Sequence, residues 1–144
     1  MKNIKNLALV LAMIFFAQIA IGQSVLGVWK TIDDKTGEPK SHVKIYKKDG
    51  KVFGRVVKLL PKATTSTCDG CPGDKNGKSL LDVDILWDLE SDGDGVWDDG
   101  KIVDPANGKV YSCKISLESE DKLKVRGYIG FSLFGRTQIW YRVK

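Results

Sequence analysis

Cys68-x-x-Cys71 is the pair of side chains in this sequence best placed to do chemistry. Two thiols at that spacing can close a small disulfide, supply half of a zinc site, or cycle between dithiol and disulfide. A redox-active pair normally opens a helix, whose N-terminus lowers the thiol pKa. Here Thr64-Thr65-Ser66-Thr67 precedes the pair and Pro72-Gly73-Asp74 follows, which is loop composition. In an oxidising compartment such a pair ends as a structural disulfide; zinc binding and redox catalysis are the alternatives. Cys113 shares the phase of Tyr111, Ile115 and Leu117, an apolar face on which a thiol behaves as a small hydrophobe. It could instead bond Cys68 or Cys71 and pin the loop, so all three cysteines are disulfide candidates.

His42 is the single histidine. A Cys₃His zinc site would need it, yet only Cys68 and Cys71 have metal-like spacing, and neither a metal nor another cofactor is expected. One histidine without a neighbouring nucleophile makes no triad, so the expectation is a protein that binds and does not catalyse. Asp92, Asp94, Asp98 and Asp99 lack the mid-loop oxygen ligands and closing Glu of a calcium loop, and read as a solvated turn. Tyr111, Arg126, Tyr128 and Gln138 are candidate ligand-binding residues: aromatic surface with a few polar anchors is what a small-molecule site needs.

The elements that must position these groups are strands. Segments 25–32, 42–47, 51–60, 82–89, 96–103, 110–117, 122–129 and 135–143 show β-rich or alternating patterns separated by turn clusters such as Asp49-Gly50 and Asp104-Pro105-Ala106-Asn107-Gly108. Apart from the Cys loop, residues 62–78, the links are short, and short links make neighbours antiparallel. A long polar loop in a compact domain is commonly functional or a lid. Eight strands in a meander either split into two sheets or close, and closure removes both exposed edges. The fold class expected is all-β: an eight-stranded antiparallel up-and-down barrel, large enough to hold one small ligand or only side chains.

The chain has 144 residues and a net charge of +5. Lys2 and Lys5, the uncharged run Leu7 to Ala17, and Ala20-Ile21-Gly22 before Gln23 have the order of a secretory signal peptide. The apolar stretch is short for a span, which takes roughly 20 residues, so no stable membrane span is expected after cleavage. That reading gives a signal at 1–22, a single domain at 23–144, and a periplasmic or secreted protein. The basic residues are scattered, so nucleic acid is not an expected partner.

Gly27-x-Trp29 on the first strand, with Arg136, Trp140 and Arg142 on the last, resembles the barrel closure of calycins, the lipocalin-like proteins. There an arginine from the last strand lies across the tryptophan, and either Arg136 or Arg142 could do so here. Asp104-Pro105-x-Asn107-Gly108-Lys109-x-Tyr111, Leu123-x-Val125-Arg126-Gly127 and Gly135-Arg136-Thr137-Gln138-x-Trp140 resemble the exported bacterial family catalogued as domain of unknown function 2147. The resemblance implies a calycin-like fold and export but no established chemistry. Many members carry a Cys near positions 127–136 and this chain has none there, so no disulfide pattern carries over. The ligand expected is a small apolar or amphipathic molecule or an envelope component; a filled barrel that binds a protein partner is the other reading.

Overall fold

A computed structural model describes residues 24–144; the segment read as a signal peptide lies outside the described residues. Eight strands, β1 Gly27–Ile32, β2 Pro39–Lys48, β3 Lys51–Leu59, β4 Asp84–Ser91, β5 Trp97–Val103, β6 Val110–Ser119, β7 Lys122–Tyr128 and β8 Gly135–Arg142, form one closed antiparallel barrel in sequence order. Apart from the long Cys-containing loop between β3 and β4, each link is a turn too short to cross the sheet, so each strand lies beside the one before it. Asp49 (φ 52°) and Gly50 (φ 80°) make the two-residue turn between β2 and β3, both in the left-handed conformation such hairpins need. Among the described residues no helix is long and apolar enough to cross a membrane.

Directly paired residues share a face of the sheet, so the register separates inside from outside. Trp29, Val43, Ile45, Val52, Leu86, Leu89, Cys113, Ile115, Leu123, Val125 and Trp140 point inward and are buried. The central and lower parts of the barrel, the half that holds Trp29, are closely packed. A Cβ at Gly54 would lie 2.9 Å from Ile45 Cδ1, and one at Gly100 2.5 Å from Leu89 Cγ. Those two glycines are where bulky neighbours from adjacent strands fill the axis.

The alternation expected of β4 changes phase within the strand. Val52 pairs with Leu89 but Gly54 pairs with Leu86, so an extra residue is accommodated around Asp88, whose φ is 60°. This bulge turns Leu86 and Leu89 both inward. Ile85, off the inward phase, is buried with Val83, Val103 and Leu80 in the continuous apolar cluster that also takes in Cys68 and Cys71. The Cys loop therefore covers the outer wall at β4 and β5, and Lys75 reaches from it to lie 4.6 Å over the Trp87 ring. Its later part is thus packed against the wall of the barrel.

Candidate functional site

The two ends of the barrel differ in kind. At the end holding Gly27 and the last residue of β8, Trp29 pairs with Arg142 across the seam where the barrel closes. The Arg142 guanidinium carbon sits 4.2 Å from the Trp29 ring centroid. Its Nε donates to the Glu120 carbonyl at 2.9 Å, Nη1 to Leu26 at 3.2 Å and Nη2 to Ser24 at 2.9 Å. The indole N–H donates to the Val25 carbonyl at 2.9 Å. Gly27, at φ +134°, leaves the space this needs: a Cβ there would lie 2.9 Å from Arg142 Nη1. One arginine thus ties the first strand, its approach and the β6–β7 turn together, a use that the planar fork of five donors permits and lysine does not.

Arg136 is not part of this clasp. It shares the inward phase of Arg142 but lies at the other end of β8, paired with Gly127, and its Nη1 meets Asp34 Oδ2 at 3.2 Å. Trp140 lies between the two, buried against Leu123 in the core rather than at the closure. Its indole N–H donates to Gln138 Oε1 at 3.1 Å, and Gln138 Nε2 donates to the same Asp34 oxygen at 2.8 Å. A chain of polar contacts therefore climbs from the core through Trp140 and Gln138 to Asp34 and Arg136 at the rim.

This second end is the mouth. Register turns Leu59, Ile102, Tyr111, Arg136 and Gln138 inward here, and each is at least partly exposed. A Cβ at Gly127 would lie 3.6 Å from both Ile102 Cγ2 and Tyr111 Cβ, which shows how these side chains converge. Beside Leu59, its register partner Ser41 and the adjoining Thr31 are buried, their hydroxyls 2.8 Å apart. From Leu59 a groove of about 490 Å³ continues outward along Leu60, Ala63 and Thr64 to Thr67. This end thus joins apolar walls to a guanidinium, an amide and a carboxylate, with a buried hydroxyl pair beside Leu59.

Of the four residues expected to bind ligand, Tyr111 and Gln138 are at this mouth. Arg126 and Tyr128 are on the outer wall, because they alternate with the inward Val125 and Gly127. The Tyr128 hydroxyl donates to Asp98 Oδ1 at 2.9 Å, and Lys114 Nζ lies 4.0 Å from Asp98 Oδ2. Burial, then the bond to Asp98, pushes the Tyr128 phenol up to about 12. Tyr46 makes a like arrangement with Asp84 on the outer wall and is also pushed up to about 12, by burial first.

Cys68 and Cys71 form a disulfide with Cα atoms 5.5 Å apart. Cys113 is free and inside the barrel, and burial pushes its thiol up to about 12. His42 is on the outer face of β2, where partial burial and then Lys58 and Lys30 hold its pKa below the ordinary value. The Cys₃His zinc arrangement is therefore not assembled: two thiols are bonded to each other, the third is in the core, and the imidazole is outside. Asp34, which joins Gln138 and Arg136, carries no motif in the sequence; it belongs to a turn cluster, and only loop geometry brings it over Gln138.

Such a molecule is a closed eight-stranded antiparallel barrel, clasped at one end by Trp29 and Arg142 and with partly exposed inward side chains at the other, the lipocalin-like fold. The chain belongs to the bacterial family described as "Uncharacterized protein conserved in bacteria (DUF2147)", whose model matches residues 27–142. Comparison with curated proteins finds no match. Among solved structures the fold is similar to that described as "Protein HP1028 from the human pathogen Helicobacter pylori belongs to the lipocalin family", with a TM-score of 0.74 and 19 % identity over 85 % of each chain.

Proposed function

We propose that this protein is an exported binding module that holds a small amphipathic molecule at the barrel mouth and does not transform it. The observation that supports this reading is the gradient along the barrel axis. Below Trp140 the interior is filled by buried apolar side chains, whereas above it Leu59, Ile102 and Tyr111 are partly open beside Arg136, Gln138 and Asp34. Apolar walls with a few convergent polar groups are what orient a small ligand. A filled lower barrel restricts it to a short apolar part seated at the rim. Arg136, whose side chain is 71 % exposed and whose one carboxylate partner is at the rim, suits an anionic head group. Export is supported by the signal-like N-terminal sequence and by the Cys68–Cys71 disulfide, a bond typical of oxidising compartments.

Native mass spectrometry of the protein isolated from its own cells, followed by tryptophan fluorescence titration with fatty acids and monoacyl lipids, tests the reading. The expected result is a retained small molecule and saturable quenching of Trp140, weakened at least about tenfold by Arg136→Ala, the loss of one charge-assisted contact. Protein that carries no small molecule and gives no saturable response to any of these probes would overturn it.

A further inference from the structure

The link between β7 and β8 is unlike the other turns of the molecule. Ile129, Phe131, Leu133 and Phe134 are 69 %, 76 %, 79 % and 65 % exposed, four large apolar side chains on one six-residue tip. Nothing in the barrel uses them, and so much apolar surface in one place marks a contact site. Several backbone carbonyls of the same tip are paired. Ile129 N–H donates to the Phe134 carbonyl at 3.1 Å and Phe134 N–H to the Phe131 carbonyl at 2.9 Å. Arg126, reaching up from the outer wall, donates from Nε to the Ser132 carbonyl at 2.7 Å and from Nη2 to Leu133 at 3.3 Å. Its Nη1 donates to Thr137 Oγ1 at 2.9 Å. The carbonyls of residues 131 to 134 are thus all occupied.

We propose that this tip inserts into the interfacial layer of an anionic phospholipid bilayer. Pairing of these carbonyls lowers the cost of moving the tip out of bulk water, since fewer backbone acceptors lose a partner there. Aromatic and aliphatic side chains with arginine at their base match the layering of the interface, apolar tails below and phosphates above. Among the described residues Arg126 has no carboxylate within ion-pair distance, so its charge is free to face a lipid phosphate, and Arg136 follows the tip directly. Area argues against a folded protein partner: four such side chains expose on the order of 500 Å², less than the roughly 800 Å² each side contributes to a stable protein interface. The tip belongs to the mouth end, so insertion would bring the mouth to the bilayer. The proposal stands independently of what the mouth holds.

The test uses the chain from Gln23 onward, which contains every strand of the barrel; residues 7–22 are apolar enough to bind lipid themselves. Phe131→Trp places a reporter on the tip. With phosphatidylglycerol–phosphatidylethanolamine vesicles its emission is expected to shift to shorter wavelength and to be quenched by lipids brominated near the head group. Flotation with the same vesicles should fall at least about tenfold when Phe131, Leu133 and Phe134 are all changed to Ser, with the unfolding midpoint unaltered since none is in the core. Equal flotation of the triple variant, or an unshifted reporter, would overturn the proposal. So would concentration-dependent self-association that the triple variant abolishes while vesicles remain unbound, which would assign the tip to a second copy. Equal binding to phosphatidylcholine vesicles would overturn the anionic preference.

Discussion

At the residue scale the Trp29–Arg142 contact shows how much one side chain can join. Arg142→Ala removes a ring contact worth about 0.5–2 kcal/mol and three charged hydrogen bonds in part exposed to water. The expected loss is about 2–4 kcal/mol in urea denaturation, and Arg142→Lys should recover only a minor part of it. The two phenols hydrogen-bonded to carboxylates make a second prediction. Tyr46 and Tyr128 have folded pKa values near 12 against an ordinary 10. A raised folded pKa contributes stability that is whole below pH 10 and is lost as pH rises through 12. Phenolate absorbance should therefore show two tyrosines ionising late, together with alkaline unfolding. Asp98→Asn should bring one of them part of the way back, since burial remains. Cys113 should resist thiol reagents at neutral pH and react once after denaturation, leaving the disulfide pair unreactive throughout.

At the element scale the loop that carries the disulfide is seated by a turn elsewhere in the chain. Gly108, at φ +74°, lies so close to Gly70 and Cys71 that a Cβ would stand 2.2 Å from the Gly70 carbonyl oxygen. Asp104 shapes this turn, accepting from Gly108 N–H at 2.8 Å and, through its side chain, from Ala106 N–H at 2.9 Å. The Asp-Pro-x-Asn-Gly-Lys sequence is thus the seat of the Cys loop as well as the start of β6. Gly108→Ala combines a left-handed backbone with a clash on main chain, and is expected to cost about 2–4 kcal/mol. Native-state hydrogen exchange should show the loss of protection concentrated in residues 66–80 and not in β6 and β7.

At the scale of the whole molecule, strand number, order and closure were legible because period-two alternation and turn chemistry are local properties. Position along the barrel axis is not local. Arg136 and Arg142 are six residues apart, an even number, so alternation places both inward and cannot say which meets Trp29. The stagger between β1 and β8 decides, and that is a property of the closed barrel. Likewise the β4 bulge at Asp88 looks in sequence like an ordinary polar position of an alternating strand. Arg126 and Tyr128 were legible as lying opposite Val125, yet which face was inner depended on the fold. Asp34 could be found only once its loop was in place over the mouth.

The seam has a consequence for how the molecule is made. Strands β2 to β8 each pair with the strand just before them as the chain lengthens, but β1 meets β8 only through Trp29–Arg142 and Lys30–Tyr141, followed by the Val143 N–H to Val28 carbonyl bond. The join links nearly opposite ends of the described chain, the most entropically demanding contact it makes. A nascent chain still lacking β8 is a row of hairpins with two open edges, unable to finish folding. The barrel therefore shuts only when the last strand is made, and Arg142, near the end of the chain, is the residue that shuts it.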